Sequence, residues 1–296
     1  MLHQKQVKSV LNKHKKRDSW FLDDYSVNPY EGCSCNCLYC YIRGSKYGEN
    51  MEEGLAVKSN ALEILDKQLA ARAKKDQYGF VALGSGTDAY IHHEEQQQMS
   101  RGTLELLLKH RFPVFISTKC TLITRDIELL KEIDKAAILP NDLKDDLKRG
   151  LILSVSVSSL DEKVSNMLEP GAALPTQRFE LVKQLKEQGF LVGVNAIPLL
   201  PYISDTEEEM EKIIRAAKNS HADYILTGGL TLFGKEKADS KTLFYKFLER
   251  YNPSLLPKYE QLYGPNFYTP FSFQNELKEK ATKLCRKYNI RNSILQ

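Results

Sequence analysis

Asn28-Pro29-Tyr30-Glu31-Gly32-Cys33-Ser34-Cys35-Asn36-Cys37-Leu38-Tyr39-Cys40-Tyr41-Ile42-Arg43 carries four of the chain's six cysteines. Cys33, Cys37 and Cys40 are spaced C-x3-C-x2-C on a Gly-containing loop, close enough to wrap one inorganic centre, and iron–sulfur clusters are held by such runs. Three thiolates on a four-iron cubane leave one iron without a protein ligand, the open position of a catalytic metal. With Cys35 included the pattern is C-x-C-x-C-x2-C, and four thiolates also suit a tetrahedral zinc knuckle. Cysteines crowded into one loop without a secretory signal weigh against a disulfide scaffold. The loop alone leaves cluster and zinc open. Cys35 discriminates between them, being required for zinc and spare for a three-cysteine cluster.

Outward from the loop, 296 residues with 42% hydrophobic and 27% charged side chains can bury a full core, and an α/β barrel fits that length. The net charge of +4 is small for this size and does not by itself announce a nucleic-acid binder. Six of the basic residues fall in 5–17 with no acidic one among them, ending Lys13-His14-Lys15-Lys16-Arg17. A solvated N-terminal arm over 1–24 is expected, with phosphate contact as its functional use. No apolar run has the length of a membrane span and the N-terminus lacks a signal-peptide core, so a cytoplasmic protein with no membrane partner is expected.

Residues 25–28 read as a short strand stopped by Pro29, delivering the cysteine loop at a strand's C-terminal end. A helical stripe over 60–74 and a buried strand over 80–83 complete the first unit. The rhythm continues with a helix to 110, a strand over 113–117 and a helix over 125–137. A polar crossing or short helix over 141–149 precedes a strand over 151–157, and helices follow over 161–168 and 176–188, the latter with Thr176 as N-cap. A strand over 191–197, a helix over 206–219 and a strand over 224–227 end the series. Six strands alternating with helices imply a parallel sheet. Helices over 240–251, 254–263 and 273–288 form a tail expected to pack on the barrel's open side.

The C-x3-C-x2-C motif with Tyr39 before its last cysteine resembles the radical S-adenosylmethionine (SAM) enzymes. The resemblance implies a partial (β/α)6 barrel of the TIM type over 25–233 with a helical C-terminal extension over 234–296. It implies a [4Fe–4S] cluster on Cys33, Cys37 and Cys40, and SAM as second cofactor. It also implies a one-electron reductant such as flavodoxin or ferredoxin, cleavage of SAM to a 5′-deoxyadenosyl radical, and hydrogen abstraction from substrate. Gly84, Ser85, Gly86, Thr87 and Asp88 stand where the family's Gly-rich motif meets the SAM amino group, with Asp88 and carbonyls receiving the ammonium. Thr118, Lys119, Ser154 and Ser156, at the ends of the third and fourth strands, suit a ribose and a carboxylate.

Asn28 to Cys33, Thr87-Asp88-Ala89-Tyr90 with Glu94, Thr118-Lys119, Leu168-Glu169-Pro170 and Pro198 to Asp205 are similar to the DNA repair photolyase-like, or spore photoproduct lyase-like, group within that family. The group implies a nucleic acid or nucleotide as substrate. Its dimer-reversing members carry a cysteine just before the Thr/Ser-Asp segment as hydrogen donor, whereas Ser85-Gly86-Thr87-Asp88 has no thiol, which argues against dimer repair here. Cys120 and Cys285 read as small buried hydrophobes. His92 and His93 could meet substrate beside the second strand, and Tyr25, Tyr30, Tyr39, Tyr41, Tyr47 and Tyr90 could stack on bases. The rival reading is a zinc-stabilised, non-catalytic nucleic-acid-binding module.

Overall fold

The structure is a computed structural model that describes residues 2–45, 48 and 54–295; Tyr47 lies outside the described residues. The chain opens with β1 (His3–Lys5), β2 (Asn12–Lys13), β3 (Asp23–Val27), β4 (Tyr30–Glu31) and β5 (Ala56–Lys58). It continues through α1 (Ala61–Ala73), β6 (Phe80–Leu83), α2 (Glu94–Gln97), α3 (Met99–Lys109), β7 (Val114–Thr118) and α4 (Ile127–Ala136). Next come β8 (Leu151–Ser156), α5 (Glu162–Leu168), α6 (Pro175–Glu187), β9 (Leu191–Leu199), α7 (Glu207–Asn219) and β10 (Tyr224–Gly229). The tail is α8 (Ser240–Tyr251), α9 (Leu256–Tyr263) and α10 (Phe271–Lys287).

One sheet of seven strands runs β10-β9-β8-β7-β6-β3-β2. Every pair from β3 to β10 is parallel, giving the expected six-stranded partial barrel, and β2 adds antiparallel to β3. All positions of β6 and β8 are buried, because helices cover one face and the barrel interior the other. Helix ends follow the local chemistry. Asp161 accepts the first amides of α5, and Thr206 Oγ1 accepts Glu209 N of α7 at 3.2 Å, where three glutamates in the first turn also suit the helix dipole.

Two local expectations are corrected. Thr176 does not cap α6: the helix starts one residue earlier on Pro175, whose fixed φ suits the first helical position, and Gln177 Oε1 accepts Leu174 N at 2.9 Å. The N-terminal segment is not a solvated arm. β1 pairs with β5, β2 pairs with β3, and Val10, Leu11 and Leu22 are buried in the core. Its apolar residues between the lysines have sheet edges to cover, and its charges find partners: Lys5 with Glu31 at 2.9 Å, and Arg17 with Asp24 at 3.0 Å and with Asp142.

The barrel's base is closed by side chains, with Phe80, Phe115, Ile152, Tyr224 and Leu226 meeting Leu143 and Leu147 of the irregular 141–149 crossing. The chain just before β3 reaches over the open sheet: the Phe21 ring tilts against Phe115 of β7 at 5.1 Å, and the exposed Trp20 ring lies against Gly228 near the end of β10. The tail divides: α10 buries Leu277, Ala281 and Leu284 against the main core beside β10, while α8 and α9 form a second cluster with Tyr39 and Leu168. Among the described residues no helix is long and apolar enough to cross a membrane.

Candidate active site

A cavity of about 730 Å³ opens at the C-terminal ends of the strands, within the usual range for small-molecule sites. Cys33, Cys37 and Cys40 line it, as do Tyr39, the turn from Gly84 to Asp88, Lys119 and Ser156. The cysteine loop is clamped between two segments. Asn28 Oδ1 accepts Gly86 N at 2.7 Å, and Thr87 Oγ1 donates to Gly32 O at 2.5 Å. On the other side Leu38 N donates to Leu168 O at 2.8 Å and Gly171 N to Cys35 O at 3.1 Å. Gly84 turns the chain with φ +84°, and a Cβ there would meet Ala89 N at 2.7 Å, so the turn admits only glycine without rearrangement.

The sulfurs of the loop do not converge as on one zinc ion. Tetrahedral zinc with sulfur bonds near 2.3 Å draws its sulfurs to about 3.8 Å of one another. Among the described residues the donor atoms gathered within 4.8 Å are those of Cys35, Asp88 and Cys120, and Cys33, Cys37 and Cys40 are not drawn together on that scale. The wider arrangement suits a cubane, on which each sulfur meets a different iron. The Cys35 thiol and then burial push Cys33 up, and burial pushes Cys37 and Cys40 up. These sulfurs are therefore thiols until a cationic centre deprotonates them.

Tyr39 is held by a buried polar network. Its hydroxyl donates to Glu169 and lies 2.8 Å from Ser158 Oγ. Glu169 pairs with Arg178, a fully buried guanidinium that also donates to Ala173 O at 2.7 Å and Ser156 O at 3.0 Å. Lys119 Nζ lies 3.8 Å from Glu169 Oε1. Burial alone would lower the Lys119 ammonium, but Glu169 and Cys37 outweigh it and hold it above its ordinary value. Burial likewise opposes the Glu169 carboxylate, and Lys119 and Arg178 overcome it and keep it low.

Three strand ends present a polar ladder to the cavity. Ser117 Oγ lies 3.0 Å from Ser156 Oγ, and Asn195 Nδ2 donates to Ser117 Oγ at 3.3 Å. Asn195 Oδ1 is buried without a hydrogen-bond partner, an acceptor waiting for a donor in the cavity.

The expected site residues separate into those that reach the cavity and those that do not. Ser154 does not line it: its hydroxyl lies 2.7 Å from Tyr224 Oη. Period two puts Ser154 on the same face as Ser156 but one step deeper, where the Tyr224 ring covers it. A Cβ at Gly193 would meet that ring at 2.2 Å, so the glycine is what admits it. Thr118 is buried and donates to Asp88 Oδ1 at 2.7 Å. Asp88 lines the cavity wall, but its carboxylate faces the protein. Oδ1 also accepts Tyr90 N at 2.8 Å, and Oδ2 accepts Lys119 N at 2.7 Å and the Cys35 thiol at 3.8 Å. Three acceptor positions hold hydrogen bonds of 2.7–2.8 Å and the fourth faces the Cys35 thiol rather than a SAM ammonium. Asp88 is a positioning residue that pins the cysteine loop to the ends of β6 and β7. Asp88→Ala is accordingly expected to lower iron content several-fold in anaerobically purified protein; iron unchanged with SAM affinity lost would return Asp88 to direct ligand contact.

His92 and His93 lie outside the cavity wall. Asn195 and Arg178 were missed as site residues though each left a signal, and Glu169 was read only as part of the family-like Leu168-Glu169-Pro170. Asn195 is a lone amide within an apolar strand, and Arg178 is a charge on the apolar stripe with Leu181, Val182 and Leu185. His14 and Lys16, placed on the basic arm by sequence, line the cavity mouth.

Comparison with known proteins bears on the fold and the family. An uncharacterized protein of Mycobacterium tuberculosis (strain ATCC 25618 / H37Rv) is 28% identical over 273 residues, covering 90% of this chain and 75% of its own length. One from Acidianus two-tailed virus is 26% identical over 214 residues, covering 69% of this chain and 66% of its own. Spore photoproduct lyase complexed with dinucleoside spore photoproduct has a similar fold, with TM-score 0.63 at 14% identity over 97% of this chain and 79% of that one. The family model described as "Radical SAM superfamily" matches residues 27–217, from the end of β3 into α7 and across the whole cysteine loop. The chain belongs to the radical SAM superfamily.

Proposed function

We propose that this protein is an enzyme that cleaves S-adenosylmethionine at a [4Fe–4S] cluster held by Cys33, Cys37 and Cys40, and abstracts hydrogen from a substrate seated in the same cavity. Radical SAM enzymes use these two cofactors, and a spore photoproduct lyase structure holds bound SAM. The observation that carries the reading is the single cavity lined both by the three spread sulfurs and by the Ser117–Ser156–Asn195 ladder. When bound, the cluster and SAM supply a 5′-deoxyadenosyl radical for hydrogen abstraction.

The chain's own residues orient and enclose. Ser117, Ser156 and Asn195 offer hydroxyls and a vacant amide oxygen suited to a ribose diol. Lys119, kept charged by Glu169, stands beside Cys37 where it suits a carboxylate. Phe115, Ile197 and Pro198 give the cavity apolar walls that exclude water. With dithionite the protein should release 5′-deoxyadenosine and methionine from SAM. Asn195→Ala should raise the Kd for SAM about tenfold, the worth of one hydrogen bond to a desolvated partner, with iron unchanged. An Asn195→Ala protein that binds SAM normally removes that residue, and a protein that binds iron but never cleaves SAM defeats the reading.

The reductant is a flavodoxin- or ferredoxin-type donor, and the substrate is a nucleic acid or nucleotide. The support is the fold shared with spore photoproduct lyase and the basic rim, where Lys16 lines the cavity mouth and Lys13 and Lys15 are exposed beside it. Neutralising Lys13, Lys15 and Lys16 together should weaken DNA or RNA binding and flatten its salt dependence, because each phosphate contact releases counterions. Arg17 is left out of that set because its ion pairs hold the fold. No nucleic-acid binding at low ionic strength would overturn the substrate class and leave the radical chemistry standing. Ser85-Gly86 supplies no thiol to the cavity wall, so spore photoproduct repair should be absent.

A further inference from the structure

Beside Cys33, and partly in the wall of the same cavity, lies a second group of thiol and carboxylate side chains that the proposed chemistry does not use. Cys35 is 1% exposed, with its Sγ 3.6 Å from Cys120 Sγ and 3.8 Å from Asp88 Oδ2. All three donor atoms lie within 4.8 Å of one another and all three residues are buried.

We propose that Cys35, Cys120 and Asp88 hold a thiophilic divalent cation, zinc by the chemistry of the ligands, separate from the centre carried by Cys33, Cys37 and Cys40. Zinc bonds to sulfur near 2.3 Å and to oxygen near 2.0 Å set the two sulfurs about 3.8 Å apart and sulfur and oxygen about 3.5 Å apart. The observed 3.6 Å and 3.8 Å meet those spacings within a few tenths of an ångström. The carboxylate is already oriented from behind: Tyr90 N and Thr118 Oγ1 hold Oδ1, and Lys119 N holds Oδ2. Such outer partners are what fix a metal ligand in place. The remaining Oδ2 position faces the Cys35 thiol at 3.8 Å. Binding exchanges the two S–H protons of Cys35 and Cys120 for one divalent cation. Both protons leave to solvent, no electron moves, and solvent supplies the fourth ligand. Two thiolates with one carboxylate select zinc over magnesium or calcium.

Such an ion would join the cysteine loop to the ends of β6 and β7 at one point. It does not rest on the proposed function, since its ligands are not cluster ligands and iron reports the cluster independently. Anaerobically purified, cluster-loaded protein dialysed against a weak chelator should retain about one zinc per chain beside its iron. X-ray absorption at the zinc edge should show two sulfur neighbours with oxygen or nitrogen. Cys120→Ser and Cys35→Ser should each lower zinc at least tenfold with iron retained. If a variant fails to fold, the edge spectrum of the unaltered protein decides. Absence of zinc after stoichiometric addition, zinc with three or four sulfur neighbours, zinc that survives Cys120→Ser, or a Cys35–Cys120 disulfide in the loaded protein would each overturn the assignment.

Discussion

Cys33→Ala, Cys37→Ala and Cys40→Ala should each take iron content from about four per chain to near zero, whereas Cys35→Ala should keep most of it. A cubane held by three thiolates has no fourth protein ligand in reserve, so loss of one sulfur exposes a second iron and the cluster disassembles. Cys35 is placed otherwise: its sulfur meets Cys120 and Asp88. Iron and sulfide analysis after anaerobic reconstitution, with the cluster's visible absorption, separates the cases. A Cys35→Ala protein as colourless as the other three would mean that the fourth cysteine ligates the same centre, and the zinc knuckle would become the better description of the loop.

The second large effect is on stability. Glu169→Leu should destabilise the fold by about 3–5 kcal/mol, because it strands the buried guanidinium of Arg178 without its carboxylate. It also releases Tyr39 and one partner of Lys119, so cluster retention should fall with it. The double variant Glu169→Leu/Arg178→Met should recover much of the loss, since replacing both buried charges with packed apolar groups avoids the stranded ion. Glu169 is held below its ordinary value in the folded chain. Its contribution is therefore fully present above the unfolded carboxyl's pKa and is lost as pH falls through the lower folded value. An anaerobic melt followed by circular dichroism tests both statements. A Glu169→Leu protein that melts like the unaltered one would show that Arg178 finds another counterion.

The six parallel strands and their helices were legible because each strand carries a near-continuous apolar run between helical stripes, whereas the cysteine spacing alone left cluster and zinc open until Tyr39 and the strand ends carried the family resemblance. Residues whose role is set across the sheet were harder to read. Ser154 and Ser156 share a face by period two, yet only depth distinguishes them, and depth is decided by the Tyr224 ring lying over Gly193 two strands away. Asp88 was legible as a site residue but not as a pin, because its partners Thr118, Lys119 and Cys35 come from two other segments. The N-terminal lysines suggested a solvated arm because charge runs usually are solvated. Val10, Leu11 and Leu22 between and beyond them were the counter-signal.

The packing of the segment before β3 has a practical consequence. Phe21 and Leu22, packed with Phe115, plug a vessel whose wall is incomplete, and they lie on the same short stretch of chain as Lys13, Lys15 and Lys16. A deletion of the first two dozen residues, the obvious way to ask whether the lysines matter, would therefore also unstopper the vessel and let bulk water quench whatever reactive species it confines. Lost turnover in such a truncation would measure leakage. Charge-reversing point changes leave the stopper seated and measure grip.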